Sequence, residues 1–163
     1  MKKVLVMLWV VVIALSVAVP GASAADDLAA KMNAIMAKST EVRFWQFSAE
    51  EVNTMIKEKK TDFLVVDTRP RTTDFAEGHI PGAIHIMTQD IFKPESLKQL
   101  PKNKKIVLYC ATGQIQNLPV IGLRMLGYDA YVMAFGYASW AKGSGPGVRM
   151  QDAVKSANYP VVK

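Results

Sequence analysis

Three short apolar runs, Phe63-Leu64-Val65-Val66, Ala83-Ile84-His85-Ile86 and Ile106-Val107-Leu108-Tyr109, constrain this chain more than any other feature of its sequence. Each is too short to form a helix that buries one face, and none alternates as a half-exposed strand would. Continuous runs of this length suit strands covered on both faces, the environment of a parallel sheet. Helical or turn-rich segments separate them. A fourth run, Ala130-Tyr131-Val132-Met133, follows a helix expected from about Asn117 to Leu126, which Gly127 would terminate. With Phe44 to Phe47 as a short first strand, the alternation predicts an open parallel α/β sheet of about five strands flanked by helices.

The flanking segments read differently. Met1-Lys2-Lys3, the apolar stretch Val4 to Val19 and the small-residue end Pro20-Gly21-Ala22-Ser23-Ala24 have the form of a secretory signal cut after Ala24. The apolar stretch is 16 residues, short of the roughly 20 that a spanning helix needs. The reading is therefore an exported chain, periplasmic or extracellular, with no stable membrane span after cleavage. Residues 25–43 are expected to hold an amphipathic helix, with Leu28, Met32, Ile35 and Met36 at helical spacing, and a linker. Ser48-Ala49-Glu50-Glu51 has the form of a capping box that starts the next helix. The main domain occupies residues 44–148. A tail, 149–163, would carry one short helix over Met150 to Ala157, stopped by Asn158 and Pro160.

The net charge of +6 raises the question of nucleic acid. The clusters Lys57-Lys59-Lys60 and Lys102-Lys104-Lys105 lie at the ends of expected elements and form no continuous basic face, so nucleic acid is not an expected partner. The single cysteine excludes a disulfide framework within one chain. The two histidines, His79 and His85, stand at no ligand spacing with it, and no metal is expected.

In an open α/β sheet, ligands bind beyond the carboxyl ends of the strands. Asp67 and Cys110 end two of the apolar runs and therefore belong to the same sheet edge. The loop Ala111-Thr112-Gly113-Gln114-Ile115-Gln116 leads from Cys110 into the next helix. Curled around the sulfur, such a loop aims backbone N–H groups at it, and the helix N-terminus adds partial positive charge. Both favour thiolate, the nucleophilic form. Asp67 is expected as structural support, a carboxylate accepting hydrogen bonds from loop amides.

Several motifs in order, Asp67-Thr68-Arg69, Phe75-Ala76-Glu77-Gly78-His79-Ile80-Pro81-Gly82-Ala83, Tyr109-Cys110 with its loop, Leu126-Gly127-Tyr128 and Gly136-Tyr137-Ala138-Ser139-Trp140, resemble those of a rhodanese domain over about Phe44 to Val148. The resemblance implies a rhodanese-like parallel five-stranded sheet, with Cys110 as catalytic residue carrying sulfane sulfur as a persulfide. The donor would be polysulfide, a persulfide or thiosulfate, the acceptor thiophilic, and Ala111, Thr112, Gly113, Gln114, Ile115 and Gln116 would bind the substrate through their amides. Thiosulfate-active members of the family carry Arg or Lys in the cysteine loop, where this chain has Ala111 and Ile115. Loss of a charge-assisted contact weakens the hold on a dianionic donor, so the neutral loop favours less charged ones. Lys105 cannot substitute, because a strand rising about 3.3 Å per residue puts it roughly 16 Å from Cys110. Phe135 replaces the first of two glycines usual in the family and stands to narrow the pocket. The related phosphatase loop Cys-x5-Arg is broken at Gln116, which leaves an oxyanion without its counter-charge. Two alternatives remain open: a non-catalytic rhodanese-like module that docks a protein partner, and a thiol redox partner that would need a second cysteine from elsewhere.

Overall fold

The computed structural model describes residues 23–156. The body of the expected signal segment lies outside them, as do Ala157 and the stop residues Asn158 and Pro160. Strands β1 (Gln46–Phe47), β2 (Phe63–Asp67), β3 (Ile84–His85), β4 (Lys105–Tyr109) and β5 (Asp129–Met133) form a single sheet in the order β1-β5-β4-β2-β3. All pairings are parallel, and Asp67 of β2 lies beside Tyr109 of β4. This is the five-stranded α/β architecture that the apolar runs imply.

Helices α1 (Ala24–Ala37), α2 (Ala49–Lys57), α3 (Thr72–Glu77), α4 (Pro94–Leu97), α5 (Val120–Met125), α6 (Tyr137–Trp140) and α7 (Gly145–Ser156) surround the sheet. Side chains alternate across it. Ile106 and Leu108 point to a core built with Val120 and Leu123 of α5, and Val107 and Tyr109 to one built with Val52 and Met55 of α2 and with Ile80. Both sheet faces are thus dry, which is why β4 reads as an unbroken apolar run. Each fully buried aliphatic side chain stabilises the fold by about 1.5–3 kcal/mol relative to its exposure to water.

Capping chemistry places the helices. Ser48 Oγ accepts from Glu51 N at 3.1 Å and Glu51 Oε2 accepts from Ser48 N at 2.7 Å, the reciprocal pair expected at the start of α2. At the end of α5, Gly127 takes φ +81° and lets Tyr128 N donate to Leu123 O at 3.0 Å, satisfying a carbonyl that the helix leaves open.

Three segments differ from the sequence expectation. The first strand covers only Gln46–Phe47, because Arg43, Phe44 and Trp45 adopt left-handed φ of 50°, 55° and 57° at the end of a 3-10 stretch, Ser39–Trp45. That turn buries Trp45 in the core beneath Arg124 and puts Arg43 on Glu51 at 2.7 Å. The helix expected from Asn117 is interrupted by Pro119, giving a 3-10 turn, Ile115–Asn117, and then α5. Helix α7 begins at Gly145, ahead of the expected Met150. Pro146 is tolerated in a first helical turn, and Ser144 Oγ accepts from Gly147 N at 3.2 Å. Among the described residues no helix is long and apolar enough to cross a membrane.

Candidate active site

The chain leaves β2 toward β3 on one side of the sheet order and leaves β4 toward β5 on the other. A crevice therefore opens between the carboxyl ends of β2 and β4, where ligands bind in sheets of this type. Asp67 ends β2 at that crevice, and Cys110 directly follows β4.

Cys110 is only 2% exposed. Gly113 N donates to its Sγ at 3.3 Å, and this is the one loop amide bonded to the sulfur among the described residues. Gly113 reaches it with φ +88°, a conformation open to glycine. The loop is tied from the far side of the sheet edge as well. Tyr137 N donates to Cys110 O at 2.7 Å and Ala138 N to Ala111 O at 2.9 Å.

The six loop residues divide by position. Ala111 faces a cavity between the β2 side and the start of α7, and Thr112 and Gln114 face a second one further along α7, with Arg149 lining both. Ile115 is half-buried where the 3-10 turn begins. Gln116 is fully buried. Its Oε1 accepts from Cys110 N at 2.5 Å and its Nε2 donates to Met133 O at 2.6 Å. Its side-chain amide is fully engaged in bracing the cysteine against β5.

Asp67 is fully buried and accepts from Arg69 N at 3.0 Å, from Arg69 Nε at 3.0 and 2.9 Å, and from Tyr109 Oη at 2.7 Å. Arg69 also donates through Nη2 to Gly78 O at 2.7 Å and stacks over Tyr137 at 4.5 Å. Burial works against the charge on Arg69, and the Asp67 carboxylate more than offsets it, so its pKa lies above the ordinary value. Burial first, and the Asp67 charge second, push the Tyr109 phenol far above its ordinary range, keeping it a donor. The cluster fixes the ends of β2 and β4 against each other.

Residues 48–143 match the rhodanese-like domain family. The chain belongs to that family.

Similar solved structures include a rhodanese-like domain protein from Staphylococcus aureus, 28% identical with a TM-score of 0.53, covering 60% of this chain and 93% of that one. A rhodanese-related protein from Thermoplasma volcanium is 25% identical with a TM-score of 0.51, over 58% of this chain and 88% of that one. Among curated proteins, a tRNA sulfurtransferase of Desulfurococcus amylolyticus is 34% identical over 82 residues, 50% of this chain and 16% of that protein. A tRNA uridine(34) hydroxylase of Buchnera aphidicola is 39% identical over 69 residues, 40% of this chain and 20% of that protein. The chain thus spans a fifth or less of the length of these two curated relatives.

In this rhodanese-like domain the turn after β5 presses on the cysteine loop. A side chain on Gly113 would meet the Phe135 backbone at 2.8 Å, and one on Gly136 would meet Cys110 O at 2.4 Å. Phe135 itself takes φ +61° and is 64% exposed. A left-handed φ costs a residue with a Cβ about 1–2 kcal/mol, and little packing offsets it here. Phe135→Gly is therefore expected to raise stability by up to about 1 kcal/mol despite glycine's extra freedom in the unfolded chain. Urea denaturation checks this, and a loss of stability would show that the exposed ring is packed more tightly than its position indicates.

The other polar side chains near the sheet edge are engaged elsewhere. Arg124 bonds Ala130 O and Asp129, and Lys105 reaches Asp62 at the far end of β4. His79 Nδ1 lies 2.8 Å from Phe75 O and His85 Nε2 lies 2.9 Å from Arg69 O. Among the described residues no group of His, Cys, Asp and Glu side chains could hold a metal ion. Sequence reasoning did not find the cations that the fold does bring toward Ala111. Arg71 follows β2, and Arg149 sits on α7, a helix whose Gly-Pro-Gly start resembles a linker.

Proposed function

We propose that this protein accepts sulfane sulfur on Cys110 as a persulfide and passes it to a thiophilic acceptor, working outside the cytoplasm after removal of Met1–Ala24. The observation that carries this reading is the Cys110 loop: a single sulfur at the carboxyl end of β4, facing an amide donor and locked by the bond that Cys110 N donates to Gln116 and by those that Tyr137 N and Ala138 N donate to the loop carbonyls. The family membership supports sulfur chemistry, and the name of one relative, tRNA sulfurtransferase, points the same way. The signal-like start of the sequence supports export.

In the transfer, the Cys110 thiolate attacks the outer sulfur of the donor. A Cys110 S–S bond forms as the donor's S–S bond breaks, and the electron pair of the broken bond leaves with the remainder of the donor, sulfite where the donor is thiosulfate. The persulfide then yields its outer sulfur to an acceptor thiolate or comparable nucleophile, and the Cys110 thiolate is regenerated. The Gly113 N–H donates to Sγ and so favours the thiolate that begins and ends this cycle. No metal or organic cofactor takes part in this sequence.

Intact-protein mass spectrometry after brief exposure to polysulfide or thiosulfate tests the reading. The expected result is a reducible gain of one sulfur that Cys110→Ser abolishes. No gain from either donor, with the thiol shown to be free by alkylation, would favour a rhodanese-like binding module instead.

A further inference from the structure

A cavity of about 310 Å³ opens on the β2 side of the cysteine loop. Ala111, the residue after Cys110, forms part of its wall, with Gly78 and Tyr137 beside it. Three guanidinium groups, Arg69, Arg71 and Arg149, and two carboxylates, Asp74 and Glu77, also face it.

The cations are not equivalent. Arg69 is held from behind by Asp67, its Nε lying 2.9 Å from Oδ2. Arg71 is shared with Asp74 at 2.7 Å. Arg149 has no ion-pair partner among the described residues. Its side chain turns back toward the start of α7, its Nη1 only 3.8 Å from where a Gly145 side chain would begin. The N-terminal turn of this 12-residue helix, through Ser144, Gly145 and Pro146, lines the same wall and adds partial positive charge. Glu77 opposes an anion here, but it is exposed to water, where its repulsion is screened.

We propose that Arg149, with Arg71 beside it, supplies the cationic grip that the neutral cysteine loop lacks, making this protein selective for small sulfur donors that carry an anionic head. The inference rests on the persulfide reading of Cys110 and extends it. The donor's sulfonate or carboxylate lies against Arg149 and the start of α7, and its sulfane sulfur points past Ala111 to Cys110. Residue 149 lies beyond the segment that matches the family, residues 48–143. The selectivity is thus a property of how this particular chain ends its domain.

Two arms test the proposal on the full chain. In the first, persulfide formation is measured against donor concentration for the wild type, Arg149→Ala, Arg149→Lys and Arg71→Ala. The donors are thiosulfate (a sulfonate head), glutathione persulfide (carboxylate heads) and 2-hydroxyethyl persulfide, whose head is uncharged. Loss of a charge-assisted contact is worth about tenfold or more. The ratio of kcat/KM for an anionic donor over the uncharged one is therefore expected to fall about tenfold in Arg149→Ala. The fall appears mainly in KM and is partly rescued in Arg149→Lys. Whichever anionic donor shows the larger fall identifies the head group. An equal loss for charged and uncharged donors would make Arg149 a mere support of the loop and overturn the proposal, as would an unchanged ratio.

In the second arm, calorimetry measures thiosulfate and sulfite binding to Cys110→Ser with and without Arg149→Ala. Binding that weakens about tenfold on losing Arg149 upholds the anion site even if Cys110 forms no persulfide. Binding that is absent, or indifferent to Arg149, overturns the site whatever Cys110 does.

Discussion

Asp67→Ala is expected to cost about 3–5 kcal/mol of stability, a large part of what a domain of this size possesses. The carboxylate is fully buried, and its removal strands the Arg69 guanidinium, 4% exposed, without a counter-charge. Arg69 N and Tyr109 Oη lose their acceptor in the same step. The penalty is that of an uncompensated buried charge, larger than the net worth of the ion pair itself. Urea denaturation should show a lower midpoint with an unchanged slope. The double variant Asp67→Ala/Arg69→Met is the diagnostic comparison, since it removes the stranded charge and should recover part of the loss. A single variant within about 1 kcal/mol of wild type, the range of an exposed pair, would sink this account of the cluster.

Gly136→Ala is the second large effect. Gly136 has φ 55° and ψ −149°, a region that only glycine occupies freely. A Cβ there would lie 2.4 Å from Cys110 O and 2.7 Å from Gly113 N, both backbone atoms that no side-chain rotation can clear. The loop must shift, and Gly113 N–H leaves the sulfur. The expected loss is about 3 kcal/mol or more, combining backbone strain with overpacking. Alkylation of Cys110 by iodoacetamide should accelerate at least tenfold as the buried sulfur opens, on the order of 1.4 kcal/mol in the opening equilibrium. Gly143→Ala is the control, with φ +75° but nothing within 4 Å of its new Cβ. Were both variants to cost the same, the close approach would play no part.

The sequence exposed what repeats along the chain and hid what meets across it. Val65, Val107 and Val132 declare the sheet because a strand dry on both faces is apolar along most of its length, and Ser48 with Glu51 declares α2 because capping is local. Cys110 was visible as the lone thiol at the end of such a run. Gln116 was not legible as a brace, because a glutamine in a polar loop looks like a side chain awaiting a ligand until Met133 O is brought within 2.6 Å of it. The left-handed turn at Arg43, Phe44 and Trp45 was equally hidden, since the aromatic residues favour a strand and only the burial of Trp45 outweighs that preference. Arg149 was obscured by Gly145-Pro146-Gly147, which breaks a helix in its middle but is accepted at its start.

The timing of synthesis gives the ties on the cysteine loop another meaning. Met133 O, the Phe135–Gly136 turn, Tyr137 N and Ala138 N all come from chain made well after Cys110, while the contacts with Gly113 and Gln116 lie within the loop itself. At about 5–20 residues per second, a growing chain carries its thiol unshielded for on the order of seconds before these later residues arrive. Protection of the sulfur is thus acquired only when β5 and the turn beyond it have docked, so a chain stalled or truncated before Met133 would present an accessible thiol to its surroundings.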